Sequence, residues 1–158
     1  PHCLLLSRQA LPQPEQAVLP FAEVAHRAYL AHDCDNPQGV VLASGSEVSL
    51  AIAVAERLLT QGLRIRVVSV VCLERFRKQS QTYQDAILAV DAAPYRVVIE
   101  AATSGSWQDL GVPSQAVFAL SRFGASGSGS AVYAHCGFSV EQLAQSIGAL
   151  IPQAVSTH

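Results

Sequence analysis

The side chains best placed to do chemistry lie in the turn Ser44-Gly45-Ser46-Glu47, between the apolar run Val40-Val41-Leu42-Ala43 and a stretch of helical periodicity. A glycine turn feeding a helix start gathers free N–H groups and the positive end of the helix dipole, and that combination holds anions such as phosphate. Ser44, Gly45 and Ser46 are therefore a candidate anion site. The turn has a single glycine, however, and neither the Gly-x-Gly-x-x-Gly spacing nor a P-loop lysine, and Glu47 brings a carboxylate to where the anion would sit. The alternative is structural: Ser44 and Glu47 have the spacing of a capping box, each side chain accepting an orphan N–H of the first turn.

Other reactive residue types are less well placed. Ser44, Ser46 or Ser104 as a nucleophile would need a neighbouring base; Gly-x-Ser-x-Gly is not met at the turn, and no strand leads straight into Gly127-Ser128-Gly129. Glu47 and Glu100 read as a cap and a loop anchor, although Glu100 closes a strand where α/β sheets place ligands. His26, His32 and His135 have no carboxylate that the sequence assigns to orient them. Four cysteines, Cys3, Cys34, Cys72 and Cys136, are widely spaced without C-x-x-C and read as reduced, mostly buried thiols. His2-Cys3, His32-x-Cys34 and His135-Cys136 would form a metal site only if the fold gathered them, and chain-adjacent side chains make a poor tetrahedral set. No catalytic residue and no metal ligand is assigned.

These residues need a scaffold, and the periodicity supplies one. After the strand at Val40, residues Val48, Ala51, Ile52, Ala55, Leu58 and Leu59 share one helical face, and Gly62 closes the helix. Arg64 to Val71 reads as a second strand, parallel to the first because a helix-sized connection separates them. Helical character returns from Leu73 to Val90. Arg96 to Glu100 and Ala116 to Leu120 are the third and fourth central strands, followed by a short helix stopped by Gly137. Ser139 and Gln142 form a second capping box, opening a last helix with Leu143, Ile147, Leu150 and Ile151 on its apolar face. Near the start, Cys3 to Ser7 reads as a strand, Pro12 to Pro20 as a linker, and Phe21 to Ala31 as a short helix. Alternating strand and helix predict an α/β three-layer α/β/α sandwich around a mostly parallel open sheet of about five strands.

Composition narrows the partners. Half of the 158 residues are apolar, only 14% are charged, and the formal net charge is -2. Nothing marks a nucleic-acid or anionic membrane partner. The low charge and a mean hydropathy of +0.28 point to apolar surface covered by another domain or subunit. No apolar run is long enough to span a bilayer and no signal-peptide pattern opens the chain, which reads as cytoplasmic. Pro1-His2-Cys3 opens without Met, as in a piece of a larger polypeptide.

The residues also resemble a family. Ser7-Arg8-Gln9-Ala10-Leu11-Pro12 is similar to the (S/T)RQ-x-LP segment of transketolases, and Ala43 to Ala51 to their (A/T)-(S/T)-GSEVSLA turn. Arg66-Val67-Val68-Ser69 resembles RVVSMP, Leu73 to Tyr83 resembles ELF-x-x-Q-x-x-x-Y, and Arg122 to Ser139 resembles RFGAS…FGFT. Departures fall in loops: Val70-Val71 replaces Met-Pro, the turn from Trp107 to Gly111 is a residue short, and Gly and Ser replace proline after Ser126.

The resemblance implies a three-domain thiamine-diphosphate enzyme of the pentose phosphate pathway that moves a two-carbon ketol unit between sugar phosphates. Residues 1–12 would be the tail of the pyrimidine-binding domain, 13–38 a linker with a short helix, and 39–158 the C-terminal domain. It implies no cofactor in this chain, thiamine diphosphate and Mg2+ in the intact enzyme, and a homodimer with the remaining domains as partners. Alone, the chain would be non-catalytic and serve assembly and stability. Arg8 matches the family's substrate-phosphate arginine, with Ser7 and Gln9 in support; a guanidinium forks onto phosphate oxygens with charge-assisted bonds. Arg8 pairing with a carboxylate is the structural alternative. A free-standing module binding a phosphorylated small molecule, or a dimerisation domain, is the alternative function.

Overall fold

The computed structural model describes residues 10–11, 25–107 and 110–152. Its strands are β1 (Ala28–His32), β2 (Gly39–Ala43), β3 (Ile65–Val70), β4 (Tyr95–Glu100) and β5 (Val117–Ala119). Its helices are α1 (Glu47–Leu59), α2 (Leu73–Phe76), α3 (Gln81–Ile87), α4 (Gly129–His135) and α5 (Val140–Leu150). The strands form one sheet in the order β1-β3-β2-β4-β5, parallel except for β1, which runs antiparallel to β3. This is the expected α/β sandwich.

Burial explains the strand composition. Every residue of β2 is buried, as in a central parallel strand covered on both faces, so its sequence is a continuous apolar run. Val41 lies opposite Val67 and Val97, and Leu42 opposite Val68 and Val98, so two apolar, valine-rich rows cross the three central strands. Gly39 begins β2 where space is short. A Cβ there would stand 2.8 Å from Ile151 Cδ1 and 3.3 Å from both Ile65 Cδ1 and the Tyr95 carbonyl.

Helix α1 differs in detail from its expected face. Ala51, Val54, Ala55 and Leu58 are buried, whereas Leu59 is 51% exposed. The helix is turned so that Val54 replaces Leu59, because one flank must also meet α5, whose Gly148 leaves room for Leu58 and Leu63. Gly62 closes the turn with a φ of 82°, as the spacing predicts. The helical stretch from Leu73 is two short pieces. Ser80 starts the second by accepting the Tyr83 N–H, and the chain breaks over residues 77–80. On α5, Leu143, Ile147 and Ile151 are buried as expected.

One expected element is of the wrong type. Ala28 to Ala31, expected as the end of a short helix, is strand β1. It pairs Ala28 with Val70, Tyr29 with Ser69 and Leu30 with Val68, with an irregularity before His32. The free edge of β3 offers a backbone partner that helical spacing over five residues cannot match, so tertiary pairing overrides local pattern. Arg27 turns the chain into the strand at a φ of 68°, and its carbonyl accepts from the amides of Val71 and Cys72.

Candidate functional site at the carboxyl ends of the strands

The order of the sheet decides where a site can form. From β2 the chain crosses through α1 to β3 on one side, then returns through α2 and α3 to β4 on the other. Connections diverge there, and in open α/β sheets the crevice beyond the carboxyl ends of such strands is where ligands bind. Two of the hollows there are lined by carboxylates. One, of about 380 Å³, is lined by Ser44, Cys72, Glu74, Glu100, Thr103 and Trp107 among others. The second, of about 260 Å³, is lined by Ser46, Glu47, Ala101, Tyr133, Cys136 and Phe138 among others.

The polar groups at this edge are carboxylates and hydroxyls. Ser44 Oγ donates to Glu100 Oε2 at 2.8 Å, and Ser46 Oγ donates to Glu47 Oε1 at 2.8 Å. The hydroxyl of Tyr133, from α4, donates to the same Glu47 oxygen. Glu47 is only 4% exposed, so its charge is held by these donors rather than by water. Burial pushes the Glu100 carboxyl above the usual range; the Ser44 hydrogen bond pulls it down, and the charge of Glu47 pushes it up again. The described residues lining the two hollows include no lysine or arginine.

The expected capping box at this turn is not formed. Ser46, rather than Ser44, is the N-cap residue, without a side-chain hydrogen bond to the helix. The first amides are met by backbone: Glu47 N–H donates to the Ser44 carbonyl at 3.1 Å and Val48 N–H to that of Gly45 at 3.4 Å. The side chains are thereby released to build the hydroxyl–carboxylate cluster. Carboxylates, and no lysine or arginine among the described residues lining these two hollows, favour a hydrogen-bond donor in them over a phosphate. The second box does form its main contact, Ser139 Oγ accepting from Gln142 N–H at 3.3 Å, while the Gln142 side chain accepts from that hydroxyl.

The remaining candidates are scattered. Arg8, Ser7 and Gln9 lie outside the described residues, as do His2 and Cys3. His26 Nδ1 sits 3.0 Å from Gln79 Oε1 and its ring stacks on Tyr83 with centroids 4.4 Å apart. Cys34, Cys72 and Cys136 are free and half-buried. Burial, then the negative charge of Asp33, raises the Cys34 thiol, which favours the unreactive protonated form. Among the described residues no group of three or more His, Cys, Asp or Glu could hold a metal ion. Tyr133 is the member of the cluster that sequence reasoning missed as a partner of Glu47, because 86 residues separate the two.

A doubly wound α/β domain with its ligand-type crevice at the turn Ser44 to Glu47 is the class defined by this architecture. Within it, the family model described as "Transketolase-like TK C-terminal domain" matches residues 28–139, and the chain belongs to the transketolase family as its C-terminal domain. It is 33% identical over 144 residues to Transketolase 1 of Escherichia coli K12, covering 90% of this chain and 22% of that protein. With the chromosomal transketolase of Cupriavidus necator it shares 34% over 154 residues, 98% of this chain and 23% of the relative. The chain thus spans somewhat over a fifth of the length of these relatives.

Solved structures agree with the fold. A Pichia stipitis transketolase in complex with sedoheptulose-7-phosphate superposes with a TM-score of 0.79 at 31% identity, over 90% of this chain and 20% of that one. The Campylobacter jejuni transketolase gives 0.73 at 33%, over 89% and 20%. The described residues do not fit thiamine diphosphate or Mg2+: the crevice offers carboxylates that repel a diphosphate, and no metal-ligand group is present among them.

Proposed function

We propose that this chain acts as the C-terminal domain of an enzyme that transfers a two-carbon ketol unit between sugar phosphates. The observation that carries the reading is the family match across residues 28–139 together with the superposition on solved transketolases. The cofactor, thiamine diphosphate with Mg2+, is held by the other domains of that enzyme, which works as a homodimer in the cytoplasm. The chain by itself is non-catalytic and contributes assembly and stability. Residues 1–12 close the preceding domain and 13–38 run as the link, with β1 inside that link but paired into the sheet of 39–158.

Arg8 lends the enzyme a phosphate contact. Its guanidinium makes directed, charge-assisted bonds to the sugar's terminal phosphate, with Ser7 and Gln9 in support. The Ser44-Gly45-Ser46 turn is a weaker place for an anion, since Glu47 and Glu100 stand beside it. The test is reconstitution: the remaining transketolase domains, produced without this one, are mixed with this chain and assayed for ketol transfer. Association and recovered transfer are expected, with Arg8→Ala raising KM for the sugar phosphate roughly tenfold or more while association holds. Failure to associate would overturn the domain reading; an unchanged KM would overturn the role of Arg8.

A further inference from the structure

The segment that follows β5 is exposed for most of its length and meets the core at Tyr133 and Cys136. Residues 121–131 are all exposed, and α4 within it has no buried residue. Leu120 N–H, donating to the Ala102 carbonyl at 2.9 Å, fixes where the segment leaves the sheet, and Phe138, 6% exposed, fixes where it returns. Arg122 Nη2 donates to the His135 carbonyl at 2.7 Å and so ties the two ends of the segment to each other. The Tyr133 ring lies edge-on to Phe138, with centroids 5.8 Å apart. Beneath α4 is the hollow of about 260 Å³, walled by Ala101, Leu120, Val132 and Phe138 and ended by Glu47.

We propose that residues 121–137 form a strap over this hollow, latched by the hydrogen bond from the Tyr133 hydroxyl to the buried carboxylate of Glu47, and that release of the latch opens the hollow while the sheet stays folded. Three features make this a device even though Tyr133 and Cys136 also pack on the core. The strap is closed into a loop by its own Arg122–His135 bond, so it can lift as a unit. Besides the packing of Tyr133 and Cys136 on the core, its polar attachment is a contact to a charge, stronger than a neutral hydrogen bond yet lost whenever the donor turns away. Glu47 keeps a second donor, Ser46 Oγ, when Tyr133 leaves, so opening does not abandon a buried charge.

Amide hydrogen exchange on the full chain tests the latch, comparing the wild type with Tyr133→Phe, which keeps the ring on Phe138 and removes only the hydroxyl. Exchange at residues 129–137 should quicken about tenfold or more while β2 and β4 keep their protection. Trypsin cleavage after Arg122 should accelerate in parallel. Unchanged exchange at 129–137 would refute the latch, and equal loss of protection throughout the sheet would show Tyr133 to be ordinary core. If Tyr133→Phe proves too unstable to handle, Glu47→Gln, which keeps an acceptor oxygen but removes its charge, should speed exchange at 129–137 by a smaller factor, and no selective change there would equally count against the proposal.

Discussion

Glu100 shows how one residue's surroundings set a testable pH dependence. Its carboxyl is pushed above its ordinary value chiefly by burial, with the Ser44 hydroxyl opposing and Glu47 adding to the shift. For an acid whose folded-state value is raised, the charged form is the one that folding disfavours. The stabilising contribution is therefore full in acid, below the ordinary carboxylate range, and lost as pH rises through the folded-state value. Glu100→Gln removes that loss and still accepts from Ser44. Urea unfolding between about pH 4 and pH 8 should find the variant more stable at neutral pH, by less than about 1 kcal/mol because the group is only half-buried, with the gap closing toward acid. A variant less stable at pH 7 would contradict this account.

At the scale of elements, local chemistry decides some boundaries and distant contacts the others. Ser139 is a working cap, so Ser139→Ala should cost about 1 kcal/mol in chemical unfolding. Gly39 starts β2 against Ile151 and the Tyr95 carbonyl, so Gly39→Ala should cost about 1–3 kcal/mol through forced displacement. Gly62 and Ser139 were both legible as helix boundaries because their signals are local. Val41, Val67 and Val97 were legible as strands because a sheet buried on both faces writes itself as apolar runs. Strand β1 was not, since Ala28 and Tyr29 keep helical spacing with Val24 and Ala25, and only the open edge of β3 makes them strand. The cluster at Ser44 to Glu47 was half legible. The turn and helix start stand in the sequence, but the donor that reaches Glu47 from α4 and the carboxylate that takes Ser44 arrive from elsewhere in the chain.

For the whole molecule, the informative surface is the carboxyl end of the sheet. Phe123 is fully exposed there at 101%, beside an open apolar depression of about 690 Å³ that Ala102 and Leu120 help to line. Val71, at the end of β3, is half exposed. An isolated aromatic in water gives a domain nothing, and its cost is recovered when another surface covers it. The relatives carry more than four times as much chain as is present here, so under the proposed function the covering surface is the rest of the enzyme. Phe123→Ser should therefore leave the thermal midpoint of this chain within about 1 °C, because no buried contact is lost. The same substitution should weaken association with the remaining domains roughly tenfold or more, as expected when an aromatic anchor leaves an interface. Calorimetry of the chain and titration of the reconstituted pair read the two effects separately. A lowered midpoint would place Phe123 in this domain's own packing, whereas an unchanged affinity would place the interface on another face.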